Sequence, residues 1–221
     1  MRQFPTDGFD YLIVKRLFDL LIASFLPIIL APVLFLIALA VKLSSAGPII
    51  FRQQRVGLNG RVFWIYKFRT MRAVSSCISD TQWTAAHDPQ VTRVGTYLRR
   101  TGLDELPQFI NVLKGEMSMV GPRPERPYFV EVFKQQIPEY MARHRVKCGM
   151  TGWAQINGWR GDTSIQKRLE HDLHYMQRWT LWFDLKILVL TLRRGILFSH
   201  KSSPKVPQAT GSVTGQRSSV S

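Results

Sequence analysis

The 221-residue chain carries 30 Lys and Arg against 15 Asp and Glu, a formal charge of +15, and is long enough for one domain with a sizeable core but not for several. An excess of that size requires an anionic partner: nucleic acid, an anionic membrane surface or a phosphorylated substrate. The two cysteines, Cys77 and Cys148, show no framework or CxxC spacing, which argues against a disulfide or zinc site and for a reducing, cytoplasmic setting.

Residues 1–14 form a short lead-in. From Leu20 to Val41 there follow 22 residues without a charge, about 33 Å as a helix. The run is too long for a secretory signal and no small-x-small cleavage site precedes a mature domain, so it marks a membrane-associated protein. Lys15 and Arg16 precede it, while Lys42, Arg52, Arg55, Arg61, Lys67 and Arg69 follow, so both flanks favour the cytoplasmic side. Pro27 and Pro32 interrupt the run, and an interior proline kinks a helix. A re-entrant hairpin over residues 15–43 is expected, with a kinked single span as the alternative. The catalytic or binding domain is then expected over 44–198.

Ser44-Ser45-Ala46-Gly47-Pro48 reads as a turn. Two strand-like runs, Ile49-Ile50-Phe51 and Val62-Phe63-Trp64-Ile65-Tyr66, flank Gly57-Leu58-Asn59-Gly60 and predict a hairpin. Residues 73–90 are polar and aperiodic and read as a mobile loop, such as a lid. Leu103, Leu106, Ile110 and Leu113 recur at helical spacing, predicting one buried face of a helix that Gly115 closes. Residues 126–143 and 164–178 read as amphipathic helices. Trp179 to Phe198 is apolar but interrupted by Asp184, Lys186, Arg193 and Arg194; an interfacial helix and a core helix both fit. Residues 199–221 have the composition of a disordered basic tail.

The acidic pair Asp104-Glu105 sits behind Arg99-Arg100 at what reads as a helix start, with Pro107 in the first turn. The helix dipole is expected to keep Asp104 ionised and to favour a phosphate alongside; a capping acid followed by a solvated one is the ordinary alternative. Gly121-Pro122-Arg123-Pro124 is a rigid turn presenting a guanidinium suited to phosphate oxygens, and Lys67-Phe68-Arg69-Thr70 is a second basic cluster after a strand. The turn-rich stretch Gly149–Asp162, with Gln155, Asn157, Trp153 and Trp159, suits sugar or base contacts or a packed corner. His87, His144, His171, His174 and His200 show no metal-ligand spacing with the cysteines.

Together these blocks resemble the bacterial sugar transferase family, the monotopic polyprenyl-phosphate phosphoglycosyl transferases, from Lys15 to Phe198. The resemblance is carried by Lys15-Arg16-Leu17-Phe18-Asp19, the proline-broken run, Phe51–Gly57, Lys67–Met71 and Asp88–Gly95. It continues through Leu98–Gln108, Met117–Pro124 and Thr151–Gly158. It implies an α/β, mostly helical, small monotopic catalytic domain with an N-terminal re-entrant helix and interfacial amphipathic helices, held at the cytoplasmic face of a bacterial inner membrane. Asp104 falls on the family's nucleophile and Glu105 on its acidic partner, and Mg²⁺ is the implied cofactor, touched by Asp104. Lys67, Arg99 and Arg123 match basic positions for phosphate contacts; Asp172 matches a further recurrent acid and, with Gln155 and Asn157, is a candidate for substrate contacts.

The implied reaction moves a hexose-1-phosphate from a UDP-sugar to undecaprenyl phosphate through a phosphosugar-aspartyl intermediate, releasing UMP, as the first step of exopolysaccharide or O-antigen assembly. Glucose is the leading sugar and galactose the nearest competitor. The expected partners are these substrates and membrane lipids, with a homodimer allowed and nucleic acid excluded. A membrane-tethered nucleic-acid-binding module would also fit the charge, yet no helix-turn-helix, RNA-binding sheet signature or zinc finger is present; a non-catalytic scaffold would not need the acidic pair and Arg123 intact. Departures are Ala31 before Pro32, where serine is usual and would help cap the bend, Gly102 in place of serine, and Cys148 in place of proline. Gly102 is expected to loosen the helix start beneath the dyad. Longer relatives carry an N-terminal bundle of membrane helices, which this chain is expected to lack.

Overall fold

A computed structural model describes residues 9–72, 89–161 and 163–197. The lid expected at 73–90, save its last two residues, and the basic tail lie outside the described residues, as do Cys77, His87, His200, Asp162 and most of the lead-in.

The chain opens with two helices, α1 (Phe9–Ile29) and α2 (Ala31–Ser44). They meet at Leu30 with a 68° bend, and no single described helix is long and apolar enough to cross a membrane, though the bent pair passes that test together. Pro27 lies inside α1 without ending it, whereas Pro32 occupies the first turn of α2, where a missing N–H leaves no bond unmade. Backbone bonds run through the bend, from Leu30 N to Leu26 O at 2.9 Å and from Leu34 N to Leu30 O at 2.8 Å. No side chain caps α2, so the missing serine is not replaced by another residue.

Strands β1 (Ile50–Val56) and β2 (Val62–Phe68) pair antiparallel from Ile50↔Phe68 to Val56↔Val62. A 3₁₀ turn over Leu58–Gly60 joins them, with Asn59 at φ 53°. Helix α3 (Arg93–Thr101) is followed by a 3₁₀ helix over Leu103–Gln108 and by α4 (Phe109–Lys114). Two short parallel strands, β3 (Ser118–Val120) and β4 (Gly149–Thr151), frame α5 (Pro127–Gln136) and a 3₁₀ segment over Tyr140–Arg145. Helices α6 (Trp153–Ile156), α7 (Ile165–Gln177) and α8 (Leu181–Leu197) complete a mostly helical fold with two small sheets.

One core gathers Phe63 and Ile65 of β2, Phe109 and Val112 of α4, Met117, Val120, Ile156, Tyr175, Met176 and Ile187. Each large apolar side chain so buried contributes about 1.5–3 kcal/mol. Ala23 of α1 is fully buried in the same core, while Ile37 and Val41 of α2 pack on Phe68 and Leu98. The outward faces of both helices remain apolar, with Phe25, Ile28, Ile29 and Phe35 exposed. The bent pair is therefore both part of the core and the most apolar surface among the described residues.

The basic flank of α1 does not point to solvent. Lys15 Nζ is 2.7 Å from Asp184 of α8, and Asp184 also accepts from the Tyr175 hydroxyl at 2.8 Å and Trp179 Nε1 at 3.0 Å. Arg16 donates to the carbonyls of Val112 and Leu113, closing the C-terminal end of α4 with a cation, as the helix dipole favours.

Two sequence expectations change. The helix expected over 126–143 breaks after Gln136: Pro138 cannot continue it, and Glu139 adopts φ 61°. Helix α8 has the buried face that a core helix requires, with Asp184 and Ile187 fully buried, while Trp182 on its other side is 79% exposed. The stripe Leu103, Leu106, Ile110, Leu113 is out of phase beyond Leu106. The chain is 3₁₀ through Gln108, so the inward positions recur every three residues: Leu103, Leu106, Phe109 and Val112 face inward, and Ile110 is 48% exposed.

Candidate active site

Arg99 and Arg100 close helix α3 rather than opening the next one, and Gly102 caps it at φ 73°. That left-handed conformation suits glycine and strains a side chain, so Gly102 tightens the junction where a loosened start was expected. The 3₁₀ helix begins at once, with Glu105 N bonded to Gly102 O at 3.1 Å, and places both acids in its first turn. Buried Asn111 locks the following helix to β2: its Nδ2 donates to Trp64 O at 2.7 Å and its Oδ1 accepts from Tyr66 N at 3.1 Å. Strand β2 thereby carries Lys67 to the dyad.

Arg123 reaches the same place from the turn after β3. Pro122 and Pro124 have no N–H, so fewer amides are available to hold this turn and its carbonyls take a larger share. Pro122 O accepts from Gly149 N at 2.9 Å, Arg123 O from Arg143 Nη2 at 2.8 Å, Pro124 O from Arg55 Nη1 at 3.2 Å and Glu125 O from Val56 N at 2.9 Å. The Glu125 side chain pairs with buried Arg168, which also donates to Gly161 O at 2.6 Å. All described peptide bonds are trans.

The two acids then differ sharply. Glu105 Oε1 accepts from Lys67 Nζ at 2.7 Å and from Arg123 Nη2 at 2.6 Å, and Oε2 from Arg123 Nη1 at 3.2 Å. These cations outweigh burial and hold Glu105 well below the usual carboxylate range. Asp104, 8% exposed, accepts no hydrogen bond from any described residue. Burial first, and then the Glu105 charge, push its pKa up to about 6, against the opposing pull of Lys67, Arg123 and Arg99. Burial thus works against the ionised form of Asp104 that the helix dipole was expected to favour.

Arg99 stands beside Asp104, its Nε donating to Thr70 Oγ1 at 2.8 Å. The structure thus brings together Asp104, Glu105, Lys67, Arg99 and Arg123. Lys67 and Arg123 spend only part of their donor capacity on Glu105. Asp172 is not on this surface: it is 2% exposed and its Oδ2 binds Arg143 Nε at 2.8 Å and Nη2 at 2.7 Å. Gln155 and Asn157 close their own turn, on Met150 O at 3.3 Å and Trp153 O at 2.7 Å, and share no hydrogen bond with the dyad. Arg143, Arg168, Glu125 and Asn111 were not legible in the sequence, because each acts through a partner at least 29 residues away or through backbone atoms.

Among the described residues no three His, Cys, Asp or Glu side chains converge as a metal cage. Buried His144 is pushed down to about 4 by desolvation and the Arg143 charge, so it is neutral and donates from Nδ1 to Gly57 O at 3.3 Å. Mg²⁺ bound with a diphosphate needs only one or two protein carboxylates. Asp104, its oxygens free of described donors, fits that requirement; Glu105, already bound by two cations, does not.

The family model described as bacterial sugar transferase matches residues 10–197. The chain is 51% identical over 197 residues to a protein of Escherichia coli K12 named UDP-glucose:undecaprenyl-phosphate glucose-1-phosphate transferase, covering 87% of this chain and 42% of that one. A Klebsiella pneumoniae protein of the same name is 47% identical over 203 residues, covering 90% of this chain and 43% of its own length. An Aeromonas hydrophila protein named UDP-N-acetylgalactosamine-undecaprenyl-phosphate N-acetylgalactosaminephosphotransferase is 43% identical over 185 residues, covering 83% and 44%. The chain spans less than half the length of each of these relatives. With its dyad, basic shell and proline-broken helix pair all inside the matched region, the chain belongs to the bacterial sugar transferase family.

Proposed function

We propose that the protein transfers a hexose-1-phosphate, glucose-1-phosphate first among the candidates, from a UDP-sugar to undecaprenyl phosphate, initiating an exopolysaccharide or O-antigen repeat unit. The relatives named for glucose support the sugar, and the relative named for N-acetylgalactosamine makes that sugar the competitor to test. The bent, outwardly apolar pair α1–α2 supports a re-entrant anchor that holds the domain at the cytoplasmic face of the bacterial inner membrane.

The observation that carries the reading is the division of the dyad. Glu105 is neutralised by Lys67 and Arg123, while Asp104 is buried, without a hydrogen bond from the described residues, and close to half-ionised at pH 6. A poorly solvated carboxylate that accepts no hydrogen bond from the described residues is suited to nucleophilic attack. One Asp104 oxygen forms a bond to the sugar-linked phosphorus as the bond from that phosphorus to the bridging oxygen breaks, and UMP leaves with the electron pair. An oxygen of undecaprenyl phosphate then attacks the same phosphorus and frees the Asp104 carboxylate, yielding the diphosphate-linked sugar. Lys67, Arg123 and Arg99 are placed to stabilise charge on the transferring phosphoryl oxygens. Mg²⁺, when bound at Asp104, would offset the diphosphate charge.

Asp104→Asn in detergent-purified protein, given undecaprenyl phosphate, Mg²⁺ and a panel of UDP-sugars, should lose UMP release and covalent phosphosugar labelling together. Labelling retained by the variant would refute the nucleophile assignment.

A further inference from the structure

Asp172 and Arg143 form a buried pair that the reaction above does not use. Both side chains are 2% exposed; Arg143 Nε donates to Asp172 Oδ2 at 2.8 Å, and Nη2 lies 2.7 Å from the same oxygen. Arg143 has two further contacts: Nη1 donates to the Tyr140 hydroxyl at 3.2 Å, and Nη2 to the backbone carbonyl of Arg123 at 2.8 Å. The last contact belongs to the residue whose side chain forks onto Glu105.

The turn that carries Arg123 makes this contact unusual in its consequences. Proline on both sides removes two of the amides by which a turn is ordinarily tied down. The carbonyls of Arg123 and Pro124 are held instead by guanidinium groups, and of these two Arg143 alone has a carboxylate counter-charge in direct contact; Arg55 is paired with the neutral amide of Gln53 at 2.6 Å. A buried ion pair with a hydrogen bond has little freedom to drift, so it fixes the position of the carbonyl it holds.

We infer that Arg143, with Asp172 as its buried counter-charge, is a positioning residue that holds the Arg123 carbonyl so that the Arg123 guanidinium closes on Glu105 beside Asp104. Asp172 then acts two residues removed from the substrate, through Arg143 and Arg123, rather than by touching the sugar nucleotide. This inference rests on the nucleophilic reading of Asp104. A misplaced Arg123 leaves substrate binding to the other cations but misaligns charge stabilisation during phosphoryl transfer, where displacements of about 1 Å can lower rates by about a hundredfold.

The test uses the full chain in lipid nanodiscs, with single-turnover UMP release and covalent labelling from a UDP-sugar. Arg143→Gln is expected to lower kcat about tenfold or more while KM for the UDP-sugar stays within about threefold. Arg143→Lys, which keeps the charge but cannot bridge the Asp172 carboxylate and the Arg123 carbonyl, should recover only part of the loss. In an Arg123→Lys background, Arg143→Gln should lower the labelling rate by less than about threefold, because its route to the dyad is already cut. A full, multiplicative loss in that background, or a change confined to KM, would overturn the inference. Should Arg143→Gln fail to fold, Tyr140→Phe keeps the ion pair and removes one contact; it should lower kcat with KM unchanged, and an unaltered kcat would count against the idea. Wild-type protein that forms no covalent adduct would instead defeat the reading of Asp104 itself.

Discussion

Arg123 closes a two-pronged fork on Glu105, Nη2 to Oε1 at 2.6 Å and Nη1 to Oε2 at 3.2 Å. The fork makes chemically distinct groups of two adjacent carboxylates. Glu105 becomes a fixed anion that gathers cations, and Asp104 is left buried without a bonded partner among the described residues.

The pH dependence of the covalent step follows. The Asp104 pKa is raised to about 6, so the protonated, non-nucleophilic form persists well above the pH at which an ordinary aspartate ionises. The labelling rate should rise with pH through about 6 and level off by about 7.5. Glu105, held below the usual range, should add no second limb there. A rate that is flat from about pH 5 to about pH 8 would contradict the burial argument.

Asp104→Asn should be more stable than the wild type at neutral pH. A folded-state pKa of about 6, raised by burial above the ordinary aspartate value of about 3.9, means that the folded protein holds the extra proton in that window. Stability is therefore retained below about 4 and lost as pH rises through about 6. At about 1.4 kcal/mol per unit, the gain from removing the charge is about 1–3 kcal/mol above pH 7. Thermal unfolding at about pH 7.5 and about pH 4 should show the advantage at the first and little at the second.

Glu105→Gln removes the counter-charge shared by Lys67 and Arg123, whose side chains are 16% and 27% exposed. Leaving two partly buried cations facing each other should destabilise the fold by about 1–3 kcal/mol. The same change takes a like charge away from Asp104, so the midpoint of its pH profile should move below that of the wild type even as the rate falls. Measuring both quantities separates the two effects; an unmoved midpoint would mean that the acids do not interact.

Arg69 is a clamp on the bent helix pair. It is 6% exposed and donates to Val41 O at 3.2 Å, Ser45 O at 2.6 Å and Pro48 O. Arg69→Gln would leave carbonyls at the end of α2 unpaired, costing about 1–3 kcal/mol. Limited proteolysis should then cut within 44–48 faster than in the wild type, whereas an unchanged pattern would show that the turn needs no such clamp.

Gly95 packs directly under Thr70: a Cβ added there would lie 2.0 Å from the Thr70 carbonyl. Gly95→Ala must push α3 off the end of β2 and loosen the bond from Arg99 to the Thr70 hydroxyl. A loss of at least about 2 kcal/mol in denaturant unfolding is expected, together with slower labelling.

Local pattern reached far into this molecule. The hairpin β1–β2, helix α7 and the break between α1 and α2 follow from turn residues, periodicity and proline, which act over a few bonds. The stripe from Leu103 to Leu113 failed because a helix and a 3₁₀ turn differ by a fraction of a residue per turn, and composition does not reveal which is adopted. The role first assigned to Asp172 changed for a related reason. A carboxylate facing the substrate and one paired with a distant arginine are the same letter in a sequence.

By itself the sequence determined that the protein is basic, with an acidic pair among cations and a long apolar run interrupted by two prolines. Those properties depend on charge, hydropathy and backbone covalency, which each residue carries with it. Only the tertiary structure decided which acid is clamped and which is left open. That choice depends on Lys67, 38 residues before Glu105, and Arg123, 18 residues after it, meeting at one carboxylate, and on how much water the fold removes from the other.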